Sequence, residues 1–145
     1  FSAAVRKSMR VILDTNVLLS ALLVRGSAPD QLYRFWLAGR FDLATCSRQL
    51  EELREVSRRP FFRARIKPSE AGRLVNQLRR LAVYVDPLPD VSASPDPNDD
   101  FLLALAQAAD ADLLVSGDKS DLLALHRTGC TRIVTARQLV DTLSR

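Results

Sequence analysis

From Met9 onward the chain alternates short apolar runs with longer stretches of helical periodicity, and this alternation most restricts what it can fold into. Runs of this length suit strands buried in the interior of a sheet. Five are expected: Met9–Leu13, Phe41–Cys46, Val83–Val85, Asp112–Val115 and Arg132–Val134. Between them Asn16 can open a helix to Leu22, and Ser27 with Pro29 begins one that Gly39 stops. Ser47 can cap a helix to Arg58, which Pro60 disrupts, and Pro68-Ser69 begins another through Leu81. Four prolines, at 87, 89, 95 and 97, make the following segment a loop. Asn98 or Asp99 then begins a helix to Ala109, Ser120–Leu125 is a short helix, and Thr135 caps a C-terminal one. Strands separated by helices predict an α/β fold with a mainly parallel sheet. In such folds the ligand crevice lies beyond the carboxyl ends of the strands, where the strand order reverses.

The chain's 145 residues suit one domain, expected over 9–145, with Phe1–Ser8 as an upstream extension before Met9. A composition 47% hydrophobic and 26% charged argues against extended disorder. Cys46 and Cys130 have no neighbours at metal-ligand or redox spacing, which argues against a zinc ribbon or a disulfide scaffold. The longest apolar stretch, Val17–Val24, is interrupted by Ser20 and is far short of the roughly 20 residues a spanning helix needs. No membrane association is expected. The formal charge of +4 permits a polyanionic partner without requiring one.

Four acidic places stand out: Asp14 after the first strand, Glu52 on the third helix, Asp99-Asp100 at a helix start, and Asp118 after the fourth strand. Singly, each has a structural reading as a cap, a first-turn charge or part of a solvated face. On the third helix, however, Leu50, Leu53 and Val56 form a stripe centred opposite Glu51 and Glu55, while Glu52 lies at its margin. Glu52 is thus placed to lean toward a crevice. Carboxylates gathered there would repel one another unless a cation neutralised them, and such hard oxygen ligands suit Mg²⁺ or Mn²⁺. An ion of this kind activates water and stabilises charge on a phosphoryl oxygen, so the implied chemistry is phosphodiester hydrolysis.

Competing motifs are missing. The five glycines form no Walker A loop, G-x-G-x-x-G or G-x-S-x-G elbow. His126 follows Leu122, Leu123 and Leu125, where helix capping or surface exposure is expected, and Trp36 with Leu32 and Phe35 reads as core. Phe61-Phe62-Arg63-Ala64-Arg65 mixes aromatic and basic residues and is open to two readings, a single-stranded nucleic-acid contact or a partition between core and surface.

Four segments occur in a familiar order: V-I-L-D-T-N-V-L-L-S at 11–20, L-E-E-L-R-E-V at 50–56, D-P-N-D-D-F-L-L-A-L-A at 96–106 and L-V-S-G-D at 114–118. From Met9 to about Ser144 the chain resembles the PIN domain nucleases, and within them the bacterial VapC-like toxin ribonucleases of toxin–antitoxin systems. The resemblance implies a three-layer α/β/α sandwich with a central parallel five-stranded sheet of order 3-2-1-4-5. It also implies that Asp14, Glu52, Asp99 and Asp118 hold one or two divalent ions, with Asn16 and Ser116 orienting them. Asp100 is the alternative to Asp99 as third ligand, Asp96 is a weaker candidate, and Asp121 is an auxiliary acid. The activity implied is Mg²⁺- or Mn²⁺-dependent cleavage of RNA in the cytoplasm, with a cognate antitoxin and a homodimer or higher homo-oligomer as partners. Two other classes stay open: a PIN-like nucleic-acid or protein binding module without turnover, and a metal-dependent DNA nuclease or phosphatase. A phosphotransfer receiver would expect an acidic pair near the first strand, where this chain has Asp14 followed by Thr15-Asn16. With the four candidate acids set aside, 21 basic side chains face 13 acidic ones, which suits an acidic pocket in a more basic surface.

Overall fold

The computed structural model describes residues 8–89, 100–117 and 121–145, and for Asp100 and Asp121 the backbone only. Strand β1 (Arg10–Leu13) leads into α1 (Thr15–Ser20) and α2 (Ala28–Leu37). Strand β2 (Asp42–Thr45) is followed by α3 (Ser47–Ser57), α4 (Pro60–Arg63) and α5 (Pro68–Leu81), and then by β3 (Val83–Tyr84). After α6 (Asp100–Ala109) come β4 (Leu113–Ser116), α7 (Asp121–Leu125), β5 (Arg127–Thr128), β6 (Thr131–Thr135) and α8 (Ala136–Leu143). The sheet order is β3-β2-β1-β4-β6-β5. Pairing is parallel from β3 through β6 and antiparallel between β5 and β6.

Alternation along the strands explains the layers. Successive side chains of a strand point to opposite faces, so a strand covered on both sides must be apolar throughout. Val11 and Leu13 face one core with Val115 and Val134, where Leu18, Leu32, Trp36, Leu53, Leu78 and Leu139 supply the helical side. Ile12, Ala44, Leu114 and Ile133 face the other, packed against Phe101, Leu102 and Leu105 of α6 and against Leu122. Helices α1, α2, α3, α5 and α8 therefore cover one face, with α6 and α7 on the other. This is the three-layer α/β/α sandwich expected. Trp36, 5% exposed, is a core residue.

Several expectations are corrected. The sheet has six strands, because Arg127–Thr128 pairs with Thr131–Arg132 through a two-residue turn in which Gly129 takes φ +56°. Two residues carry too little apolar pattern to announce a strand; the backbone geometry that Gly129 permits makes the hairpin. The expected order holds for the five parallel strands, with β6 as the fifth. Asp14, and not Asn16, caps α1, its Oδ1 accepting from the Asn16 N–H at 3.3 Å. Ser47 lies inside α3: Cys46 holds the N-cap position in extended conformation, and Ser47 Oγ donates to Asp86 Oδ2 at 2.5 Å while accepting from Tyr84 Oη at 2.8 Å. Pro60 follows the end of α3 at Ser57 and opens the one-turn helix α4, where its missing N–H is harmless. Helix α5 spans the expected residues, and Thr135 caps α8 in a reciprocal pair with Gln138.

Of the proline-rich loop, residues 90–99 lie outside the described ones. Among the described residues no helix is long and apolar enough to cross a membrane. Cys46 is buried and Cys130 exposed, both as free thiols. His126 is exposed and ends α7 at φ +59°.

Candidate metal centre

The strand order reverses between β1 and β4, and a cavity of about 230 Å³ opens beyond their carboxyl ends, lined by Asn16, Ser20, Ser116, Gly117 and Ala136 among others. Asp14 directly follows β1, between that strand and the cavity-lining Asn16 and not itself in the lining, and its N–H extends the β1–β4 pairing by donating to Val115 O at 2.9 Å. Ser116, one residue past the end expected for the fourth strand, is the last residue of β4, paired with Thr135 and 1% exposed. Its hydroxyl donates to Asp14 Oδ2 at 3.0 Å. The two carboxylate oxygens thus have separate partners: Oδ1 serves the cap of α1, and Oδ2 is held from β4. Asn16 contributes its backbone N–H, and its side chain is exposed.

Burial pushes the Asp14 carboxyl above its ordinary value, against the lowering effect of the Asn16 N–H, the Ser116 hydroxyl and the Thr15 N–H. Glu52, half-buried on α3, is also pushed up, first by burial. The nearby Thr15 hydroxyl lowers it, the Asp14 charge raises it, and Arg48 and Arg59 lower it. The structure therefore brings two of the four candidate acids together, Glu52 lying within reach of the Asp14 charge. Thr15 Oγ1 is buried, and among the described residues its polar neighbour is the Glu52 carboxyl, at less than ordinary hydrogen-bond geometry. Two carboxylates raised by burial and a buried hydroxyl without a well-formed hydrogen bond are a set of hard oxygen donors, which fits a divalent cation of the Mg²⁺ or Mn²⁺ type.

Asp96, Asp99 and Asp118 lie outside the described residues, as do the side chains of Asp100 and Asp121 at the starts of α6 and α7. Among the described residues, no three His, Cys, Asp or Glu side chains gather at one point.

Pattern reading missed Gln49. It is 1% exposed on the core side of α3, with Leu53 and Val56 at the next turns. Its Nε2 donates to Leu13 O at 2.7 Å, and its Oε1 accepts from Thr45 Oγ1 at 2.6 Å. The β1–β2 register pairs Arg10 with Asp42 and Val11 with Leu43, and beyond these pairs a side chain takes up the Leu13 carbonyl. Gln49 thereby ties α3 to the residue preceding Asp14, and one helical turn later the same helix presents Glu52. A polar residue within an apolar stripe was the available signal. Arg48 was also missed: besides acting on Glu52, its guanidinium lies 5.1 Å from the centroid of Phe101, near the start of α6.

A parallel doubly wound sheet with desolvated acids at its switch point defines a class, the α/β proteins that use carboxylates at a strand-end crevice. The sequence supplies the family. Residues 10–120 match the model of the PIN domain, and the chain belongs to the PIN domain family, a family of nuclease modules that are generally metal-dependent. No curated protein matches the chain.

Ser116→Ala is expected to weaken Mn²⁺ binding about 10–100-fold, the usual effect of losing a group that orients a metal ligand. Titration calorimetry checks this; unchanged affinity would show that Asp14 is held without the β4 hydroxyl.

Proposed function

We propose that the protein is a metal-dependent endoribonuclease that cleaves single-stranded RNA, acting in the cytoplasm as the toxin of a toxin–antitoxin pair. The observation that carries the catalytic reading is the Asp14–Glu52 pair, two acids raised by burial, Glu52 further by the Asp14 charge, with the buried Thr15 hydroxyl beside Glu52. The toxin role, the cognate antitoxin and the homodimeric or higher assembly rest on the resemblance of the motifs around Asp14 and Asp118 to VapC-like toxins.

In this reading Asp14, Asp99 and Asp118 are the main ligands, with Asp100 the alternative to Asp99 and Asp121 an auxiliary acid. Bound there, Mg²⁺ or Mn²⁺ supplies an activated water and charge neutralisation at the phosphoryl oxygen. Ser116 holds Asp14 in one rotamer, which avoids reorganisation when the substrate arrives. Glu52 ligates or positions the attacking water. Arg48, which acts on Glu52 and has no ion pair among the described residues, is the candidate contact for phosphates next to the scissile one.

That Asp14 also caps α1 favours a second reading, a binding module in which the acid is structural. Incubation of purified protein with single-stranded RNA, duplex RNA and single-stranded DNA, in Mg²⁺, Mn²⁺ or EDTA, separates the two. The expected result is cleavage of single-stranded RNA that EDTA abolishes. RNA binding without cleavage under any divalent ion would leave the binding module, and preferential DNA cleavage would overturn the RNA assignment.

A further inference from the structure

A second concave site lies on the other flank of α3. A cavity of about 280 Å³ between α3, α4 and α5 is lined by Arg54, Arg58 and Arg63 around a floor that includes Ile66 and Val75. No acidic side chain lines it, and none of the three guanidiniums has an ion-pair partner among the described residues. By contrast, Arg34 is paired with Asp30 one turn earlier on α2, and Arg59, just past the end of α3, with Glu55. Three unpaired guanidiniums around one hollow leave a local positive potential that a polyanion would satisfy.

At about 100° per residue, Arg54 and Arg58 stand roughly 200° and 240° around α3 from Glu52. One helix thus carries a candidate catalytic acid on one flank and a cationic hollow on the other. A helix is about 10–12 Å across, and a stacked strand advances about 3.4 Å per nucleotide, so roughly three or four nucleotides bridge the two flanks. The exposed Phe61 beside the hollow already has the Arg65 guanidinium 4.0 Å from its ring centroid. That favours a hollow that holds backbone over one that stacks bases.

The geometry points to an exosite at Arg54, Arg58 and Arg63 that holds the phosphodiester backbone of the nucleic-acid substrate a few nucleotides from the bond cleaved at the Asp14–Glu52 crevice. It rests on the nuclease reading above. The site sets a minimum substrate length and supplies part of the affinity, independently of the metal ligands.

The test is binding of fluorescently labelled single-stranded RNA of about twelve nucleotides, in EDTA, followed by anisotropy between ~50 and ~200 mM salt. Three phosphate contacts at about 0.7 each predict that combining Arg54→Ala, Arg58→Ala and Arg63→Ala makes the log–log salt slope shallower by about 2. Affinity would then fall about 20-fold less over that salt range. The three corresponding Arg→Lys replacements should restore most of the slope, and if the alanine protein fails a thermal-melt check of folding, the three Arg→Gln replacements, which keep side-chain length and remove the charge, should give the same shallower slope. A charge-matched control, Arg25→Ala with Arg79→Ala and Arg80→Ala, should change the slope less than half as much, and a dinucleotide should bind both pocket forms alike. An unchanged slope in the neutral pocket variants, an equal loss in the control, or a polyglutamate peptide that occupies the pocket and is not displaced by RNA would each overturn the exosite. Wild-type protein that binds no RNA would sink the nuclease reading with it; wild-type cleavage with an unchanged slope would sink the exosite alone.

Discussion

Asp14→Asn is expected to abolish RNA cleavage, by at least about 10²–10³-fold, while leaving the fold intact and the metal-free protein more stable at neutral pH. The asparagine keeps an oxygen for the Asn16 N–H and a polar neighbour for Ser116 Oγ, so the cap of α1 and the tie to β4 can persist. What it removes is a buried charge. Asp14 and Glu52 both have folded pKa values above their ordinary 3.8 and 4.5. Over the range from those values up through the raised ones, the native state binds more protons than the unfolded chain. Stability of the metal-free wild type is therefore highest on the acid side of that range and falls as pH rises through it. The variant loses the Asp14 part of that fall. Its midpoint of thermal unfolding should exceed that of the wild type at pH 7–8, by roughly 3 °C for each kcal/mol relieved, and the difference should close near pH 4. Mn²⁺ should raise the wild-type midpoint and leave the variant's nearly unmoved. Residual cleavage at the wild-type rate would place the activity elsewhere; an unchanged Mn²⁺ shift would remove Asp14 from the metal site.

Gln49→Leu should have the largest effect on stability. The substitution preserves an apolar-sized side chain but leaves the Leu13 carbonyl and the Thr45 hydroxyl without their buried partner. At about 1–3 kcal/mol for each orphaned group, a loss of roughly 2–5 kcal/mol is expected in urea unfolding. Adding Thr45→Val removes one of the two orphans, so the double variant should be less destabilised than the sum of the singles, with a coupling of about 1 kcal/mol or more. Because Gln49 anchors α3 beside Asp14, the single variant should also lose Mn²⁺ affinity at temperatures where it remains folded. Additive energies would show that the two side chains act separately. Full metal affinity in a folded Gln49→Leu protein would show that the anchor does not govern the position of Glu52.

The legibility of the sequence differed by residue type. Val11, Ile12 and Leu13 announced a strand buried on both faces because continuous apolarity has few other uses in a short segment. Helix α5 was readable to its ends, since Pro68 suits a first helical position and Leu74, Val75 and Leu78 mark its buried side. Helix caps were less readable. Asn16 and Ser47 are good capping types one or two places from the residues that hold the positions, and neighbouring polar residues compete closely. Strand β5 was invisible because its two residues take their conformation from the turn and from β6.

At the site, Asp14 and Glu52 were nominated by position: one at a strand end, the other at the edge of a stripe. Local periodicity is enough for that, because helix and strand geometry place neighbouring side chains in fixed directions. The same local rules settled the α/β class and the parallel core. Only the tertiary structure decided that Ser116 grips Asp14, that Gln49 fills the gap beyond the β1–β2 pairing, and that Arg54, Arg58 and Arg63 share one hollow. Those facts depend on which buried polar groups and which charges meet across elements distant in the chain. Hydrogen-bond satisfaction and charge proximity are pairwise properties in space, and no period along the chain encodes them.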